Sequence, residues 1–160
     1  MNIPDVYKYR SIDVALYIIA RANTEKIGIN MPKVQVLLYL AYGAYLAVHH
    51  SEGRLTDEHP HAWTNCVVFP QVKEYLDNND VMQTDIKSPL IKEIAEDSIV
   101  EELISLVFKR FGRMDKKQLA QWSTMKKSAW EKTVDNYGWG KEIPDNYILP
   151  YFRSLLIIKE

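Results

Sequence analysis

Cysteine is nearly absent from this sequence, because Cys66 is the only one among 160 residues. A single thiol cannot form a disulfide within the chain, and the sequence has no Cys-x-x-Cys pair of the kind that holds zinc or exchanges thiols. The sequence therefore gives no sign of an oxidising environment. We expect a cytoplasmic protein with no cofactor.

An excess of charge of either sign is also lacking, since 20 Lys and Arg residues are balanced by 21 Asp and Glu residues. A chain with a formal net charge of −1 has no overall attraction to nucleic acid or to an anionic membrane. The opening MNIPDVYKYR lacks the apolar segment and cleavage site of a secretory signal. With 47% hydrophobic residues, the chain has the composition of one globular domain over residues 1–160.

The most apolar run, MPKVQVLLYLAYGAYLAV, occupies residues 31–48 of a helix predicted over about residues 31–50. Lys33 and Gln35 interrupt its start and a polar His-His-Ser-Glu sequence ends it, which favours a buried helix over a membrane span. Asn30 is predicted to cap this helix, and Pro32 suits its first turn. Because apolar residues cover nearly the whole circumference, the helix is predicted to lie at the centre of a bundle.

Capping residues and apolar periodicity predict other helices on both sides of this central one. Their predicted starts are Ser11, Pro70, Pro89, Ser98, Asp115, Ser128 and Pro150, and Gly28 and Gly112 are predicted to end the first and the fifth of the chain's helices. Residues 62–69, AWTNCVVF, are rich in Val and aromatic residues and predict a short β element. The fold class is therefore mainly α: a single compact multi-helix domain with at most a short β element near residues 62–69.

Histidines near the single thiol raise a first hypothesis, a metal-dependent or Cys/His hydrolase that uses His59, His61 and Cys66. His49 and His50 lie at the predicted end of the central helix and add two further imidazoles. The spacing matches no zinc or iron motif, and Cys66 lies in an apolar run that indicates a buried thiol. Exposed loop histidines are the alternative reading.

Basic residues gather around two predicted interhelix turns and raise a second hypothesis, a nucleic-acid-binding regulator. The first turn contains Lys109, Arg110, Arg113, Lys116 and Lys117, and the second contains Lys126 and Lys127. Cations are also stabilising at a helix C-terminus, and no base-reading or stacking groups accompany these. Nucleic acid is therefore an unlikely partner on sequence grounds.

Aromatic side chains raise a third hypothesis, a protein-binding module. The four tryptophans, Trp63, Trp122, Trp130 and Trp139, either pack in the core or anchor a partner. The residues predicted to lie near a partner are Tyr39, Trp63 and Trp130, with bracing of the core as the alternative for all three.

The order of residues along the chain resembles that of a known family. In INMPKVQVLLYLAYGAYLA a polar cap precedes an apolar run, with matches at Asn30, Gln35, Leu37, Leu38 and Tyr39 and with Val34 and Val36 as departures. Further matches are Ala62-Trp63 with Val67, the stretch LAQWSTMKKSAWEKT through Leu119, Ser123 and Trp130, and the ending IPDNYILPYF. Asn65-Cys66 replaces the usual Gly-Pro, and Thr124 replaces the usual His. The chain thus resembles a divergent member of the Panacea domain family of SocA-like antitoxins and GepA-type phage-associated proteins.

This resemblance implies a specific function for the protein-binding module of the third hypothesis. It implies a small helical bacterial antitoxin that neutralises a cognate toxin, the product of a neighbouring gene, by direct protein contact. It also implies an adaptor role in some members, in which the antitoxin delivers its toxin to a protease. No enzymatic activity is expected.

Overall fold

A computed structural model of the protein describes residues 2–157, apart from the side chains of Leu90, Leu156 and Ile157. Within that range the α-helices are α1 (Ser11–Thr24), α2 (Met31–His49), α3 (Pro70–Asn78), α4 (Lys92–Ala95), α5 (Ser98–Phe111), α6 (Lys116–Ser123), α7 (Ala129–Tyr137) and α8 (Asp145–Ile157). The strands are β1 (Tyr7–Tyr9), β2 (Arg54–Thr56), β3 (His61–Trp63), β4 (Cys66–Val68) and β5 (Lys141–Glu142). The predicted mainly α fold is confirmed.

Helix α2 is the centre of the domain, as predicted, and it contacts α1, α5, α6 and α8. The side chain of Asn30 caps it by accepting a hydrogen bond from the backbone N–H of Lys33, and Pro32 lies in its first turn. Residues 31–52 are apolar and long enough for a membrane span, but 78% of the most apolar window lies buried inside the protein. This is the burial of a core helix.

Two small sheets flank α2. β1 and β2 pair in parallel, and β3 pairs antiparallel with both β4 and β5, so that β3 is the middle strand. The β3–β4 hairpin is the β element predicted near residues 62–69. The other three strands, β1, β2 and β5, were not predicted, because each pairs with a strand far away in the sequence and no local hairpin pattern marks them.

Two predicted helix starts are wrong by one residue. Arg10 and Asp97 occupy the N-cap positions, and Ser11 and Ser98 are the first helical residues. Asp97 takes the capping role because its carboxylate accepts a hydrogen bond from the N–H of Val100.

The predicted helix ends differ from the structure as well. Helix α1 ends at Thr24 and the residue in the left-handed region is Lys26, with φ 57°, whereas Gly28 has no positive φ. Gly112 does follow α5, but in a right-handed conformation. Glycine's preference for left-handed backbone is therefore not what ends these two helices.

Three other predicted starts are confirmed, and two are not. Pro70 is the first residue of α3, Asp115 forms a complete capping box with Gln118, and Ser128 caps α7. Pro89, by contrast, begins a single 3₁₀ turn that precedes the four-residue α4.

Pro150 does not begin the last helix, because α8 starts at Asp145 and Pro150 lies inside it. The carbonyl of Pro144 accepts hydrogen bonds from the N–H groups of Tyr147 and Ile148, which forms the first turn five residues earlier than predicted. Pro150 is exposed, so its missing N–H faces the solvent side of the helix. The final residue of the predicted terminal helix, Ile158, lies outside the described residues.

Candidate functional site

Tyr39, the first predicted contact residue, is not available to a partner. Its side chain is fully buried, and its ring packs edge-on against Phe152 with the centroids 5.4 Å apart. Among the described residues its hydroxyl has no hydrogen-bond partner. The prediction of a partner contact at Tyr39 is therefore wrong, because the side chain lies on the inward face of the central helix.

The structure does bring Trp63 and Trp130 together. The indole N–H of Trp130 donates to the carbonyl oxygens of Trp63, at 2.9 Å, and of Cys66, at 3.2 Å. These two carbonyls lie at either side of the β3–β4 turn, where Asn65 has a φ of 67°. Trp130 thus braces the hairpin, while both tryptophans stay partly exposed at the protein surface.

Trp139 lies just before β5, at the end of the three-stranded sheet where Trp63 lies. It was not predicted as a contact residue. It is 62% exposed, and it stands between Gly138 and Gly140, whose φ values of 89° and 83° require glycine. The N–H of Gly140 donates to the carbonyl of Ala62 at 2.7 Å and fixes the loop to β3. A tryptophan between two glycines was the sequence signal for an exposed aromatic on a defined loop.

The histidines and Cys66 do not form one site. The thiol of Cys66 is half-buried, which raises its pKa, and Nδ1 of His61 lies 3.3 Å from the carbonyl of Gly140. His59 faces Asp145 instead. In the described part of the chain, no three His, Cys, Asp or Glu side chains are placed to share a metal ion.

His59 belongs to a partly buried polar cluster with Tyr42 and Asp145. The hydroxyl of Tyr42 donates to Oδ1 of Asp145 at 2.5 Å and lies 3.2 Å from Nδ1 of His59, which is 3.7 Å from the same carboxylate oxygen. The facing carboxylate of Asp145 raises the pKa of His59 despite partial burial, and burial raises the pKa of Tyr42 well above its usual value. The cluster ties α2 to the start of α8.

The two residues before His59 hold the starts of two other helices. Asp57 accepts a hydrogen bond from the N–H of Ser11, at the beginning of α1. Glu58 accepts from Oγ of Ser11 at 2.8 Å and from the N–H of Gln71, in the first turn of α3, at 2.6 Å. Asp57, Glu58 and His59 therefore anchor the N-termini of α1, α3 and α8, and this role is structural.

An apolar groove lies between α2, α5, α6 and α8. We call it the α2–α5 groove; its cavity volume is about 60 Å³, and its lining residues are Leu40, Ala44, Leu106, Val107, Arg110, Phe111, Trp122, Phe152 and Leu155. Leu106 is 47% exposed at its rim. Exposed leucine beside an apolar depression is typical of a binding surface.

Helical spacing extends this apolar surface along both walls. Val48, 58% exposed, follows Ala44 by one turn on α2, and Ile99, 42% exposed, lies two turns before Leu106 on α5. Positions 99 to 110 of α5 span roughly 16 Å, which is the length of three helical turns. The exposed apolar side chains Ile99 and Leu106 of α5 are therefore spaced along one wall over about two helical turns.

Arg110 is the charged residue of the groove. Within residues 2–157, it has no ion-pair or hydrogen-bond partner. An unpaired guanidinium at the edge of an apolar surface favours a ligand that carries a carboxylate next to apolar side chains.

Comparisons with family models, with curated proteins and with solved structures find no match to this chain, so its site is described from its own geometry.

Proposed function

We propose that this chain is an antitoxin-like protein-binding module, with the α2–α5 groove as the surface that contacts its toxin. The observation that carries the proposal is the exposed apolar groove with the unpaired Arg110 at its edge. The resemblance to the Panacea domain supplies the class of partner: a toxin encoded by a neighbouring gene. We place this activity in the bacterial cytoplasm and propose no enzymatic step.

The chemistry of the groove specifies what the partner presents. Apolar side chains at helical positions i, i+3 or i+4, and i+7 would fill the row of Leu106 and its neighbours, as in other helix-in-groove complexes. A Glu or Asp on the same helix would pair with Arg110. Burying Leu106 and the rim of the groove would supply the affinity, and the ion pair would set the register.

The test is co-expression with the product of the adjacent gene. If the proposal holds, the neighbour arrests growth, this chain restores growth, and the two proteins elute as one complex. A Leu106→Glu variant would lose both rescue and co-elution, whereas Tyr7→Ser, which changes a residue that is 52% exposed on β1, would keep both. A neighbour that is harmless and does not bind would overturn the proposal.

A matched pair of variants tests the role of charge in the groove. Arg110→Gln and Lys109→Gln remove one positive charge each from adjacent exposed positions of α5, and Arg110 lines the groove whereas Lys109 does not. We expect Arg110→Gln alone to weaken the complex, by roughly tenfold for one charged hydrogen bond. Equal effects of the two variants would indicate a general electrostatic attraction.

The tryptophan surface at the sheet edge provides the competing location. Trp63→Leu changes a predicted contact residue and Trp139→Ser changes the exposed tryptophan near it, and neither residue lines the α2–α5 groove. Loss of binding in these variants, together with wild-type behaviour of Leu106→Glu, would move the toxin contact to the sheet edge. The half-life of the toxin, measured with and without this chain, separates inhibition from delivery to a protease.

A further inference from the structure

A second concave surface lies just beyond the C-terminus of α5, around the start of α2, and shares no lining residue with the α2–α5 groove. Residues 28–30 form one side of it and the α5–α6 turn forms the other, and its cavity volume is about 460 Å³. Three cationic side chains line it: Lys33, Arg113 and Lys116. We call it the cationic depression.

Lys33 is the unusual member of this set. It is only 5% exposed, although lysine is almost never buried without a paired charge. Within the described residues, its side chain has no hydrogen-bond or ion-pair partner, and it lines the depression. Burial lowers the pKa of Lys33, and the charge of Arg113 acts in the same direction, while Asp115 opposes both.

Two of the nearby acceptor oxygens are already in use. Asp115 is the only acidic residue that lines the depression, and its Oδ1 accepts the N–H of Gln118 at 2.8 Å in the capping box of α6. The side-chain oxygen of Asn30 accepts the N–H of Lys33. Three cations with one carboxylate leave the depression positive.

The N-terminus of α2 adds to this positive character. A helix of 19 residues carries a partial positive charge at its first turn, and that turn contains Lys33. No acidic side chain lies in the first turn of α2 to compensate it. The Lys33 N–H is capped by Asn30 and Pro32 has no N–H, so the helix contributes its dipole and the three side chains would supply the hydrogen bonds to a small anion.

We propose that the cationic depression binds a phosphate group, as inorganic phosphate or as the phosphate monoester of a small molecule. Phosphate suits it because the anion carries close to two negative charges and several acceptor oxygens, enough for the Lys33 amine, the Arg113 guanidinium and the Lys116 amine together. The site is separate from the α2–α5 groove, so it stands whether or not a toxin binds there. Arg113 and Lys116 belong to the basic turn that raised the nucleic-acid hypothesis. The proposal assigns a small phosphate ligand to that turn.

The test is a titration of the ¹⁵N-labelled full chain with sodium phosphate at about pH 8, followed by the backbone amide signals, with sodium chloride of equal ionic strength as the reference. We expect saturable shifts concentrated at residues 28–33 and 113–116. The same titration with glycerol phosphate distinguishes the free anion from a monoester, and saturation by either one supports the site. Shifts that do not saturate, or that match those in chloride, would overturn the proposal.

Two variants locate the binding. Lys33→Met keeps the buried aliphatic stem and removes the amine, while Lys117→Met removes the same charge from an exposed position that does not line the depression. We expect Lys33→Met to weaken phosphate binding by roughly tenfold or more and Lys117→Met to leave it within about twofold of the wild type. Arg113→Gln serves as the second variant if Lys33→Met fails to fold.

The variants and a competing ligand can also contradict the phosphate site. Equal weakening by Lys33→Met and Lys117→Met would show a diffuse charge effect and would contradict a built site. Binding of a single-stranded oligonucleotide with no response to phosphate or glycerol phosphate would also contradict it, because the surface would then require a polyanion.

Discussion

Gln35, on the central helix α2, binds both backbone groups of Phe69, the residue just before α3. Its Oε1 accepts the N–H of Phe69 at 2.7 Å, and its Nε2 donates to the carbonyl of Phe69 at 3.3 Å. Both residues are buried, so one side-chain amide replaces water for two backbone groups. The amide thereby fixes where the chain leaves the β3–β4 hairpin and enters α3.

Replacing Gln35 with Leu is expected to destabilise the protein by about 2–4 kcal/mol, because the N–H and the carbonyl of Phe69 would both be left buried without a partner. Urea denaturation followed by circular dichroism measures the change. Gln121→Leu, at an exposed position of α6, is the control and should alter stability by less than about 0.5 kcal/mol. Equal stability of the two variants would contradict the role assigned to Gln35.

The same pair of residues shows which parts of the structure the sequence could predict. Three features were predicted: that residues 31–49 form a helix, that Asn30 caps it, and that Asp115 forms a capping box. Each depends on residues that lie within four positions of one another. The Gln35–Phe69 contact joins residues 34 positions apart, and nothing in the local pattern of either residue indicates it. Side-chain hydrogen bonds between distant segments are outside the reach of periodicity and capping rules.

The predicted start of α1 is wrong for the same reason, which is a hydrogen bond between segments that are distant in the sequence. Ser11 has the composition of an N-cap, but its hydroxyl donates to Glu58 and its N–H is capped by Asp57, 46 residues further along the chain. Because a distant carboxylate satisfies this helix end, the local capping rule predicted a helix start one residue late.

The candidate site was predictable only in part. Trp63 and Trp130 do lie together, whereas Tyr39 was misassigned because an all-round apolar helix gives no indication of which side faces outward. Leu106 was not predicted as a contact residue, and only the packing of α5 against α2 shows that it is 47% exposed beside the groove. Asn30, Gln35 and Tyr39, which carry part of the family resemblance, all have structural roles here.

His59 provides a prediction for pH. Its pKa is raised in the folded protein because it faces Asp145, with Glu142 acting in the same direction and burial and Arg54 acting against it. A raised folded pKa means that the protonated imidazole stabilises the fold fully below the unfolded pKa of about 6.5, and that this contribution is lost as the pH rises through the folded value.

We therefore expect the wild type to exceed His59→Gln in melting temperature by the largest margin below about pH 6, and the margin to shrink toward about pH 9. Thermal melts of both proteins across this range provide the measurement. Other titrating groups, including the nearby Tyr42, are common to both proteins, so the difference isolates His59. A margin that is constant, or that grows with pH, would show that the charge of His59 does not stabilise the fold.

Trp130 provides a prediction for the hairpin. Trp130→Phe keeps an aromatic ring but removes the N–H that donates to the carbonyls of Trp63 and Cys66, so we expect a loss of about 1 kcal/mol. Amide hydrogen exchange should accelerate in β3 and β4 more than in α5. The control is Trp122→Phe, since Trp122 packs against Phe111 and should not affect exchange in the hairpin. Unchanged exchange in β3 and β4 would show that Trp130 does not brace the turn.

Gly43 and Phe152 provide the last prediction, which links the core to the groove. A Cβ atom on Gly43 would overlap the ring of Phe152, the buried α8 residue that lines the α2–α5 groove. Gly43→Ala should therefore destabilise the protein by about 1–3 kcal/mol through overpacking, even though alanine is favoured over glycine in a helix by about 1 kcal/mol.

Phe152→Leu would remove most of the overlap, so the cost of Gly43→Ala should be smaller in that background, and a double-mutant cycle in urea measures the difference. Gly28→Ala is the control, because a Cβ atom there meets nothing within 4 Å and the backbone has no positive φ. Strictly additive effects of Gly43→Ala and Phe152→Leu would contradict the direct contact. If Gly43→Ala instead displaces the ring into the groove, the folded variant should also bind the toxin more weakly than the wild type, since the space for the partner helix would then be reduced.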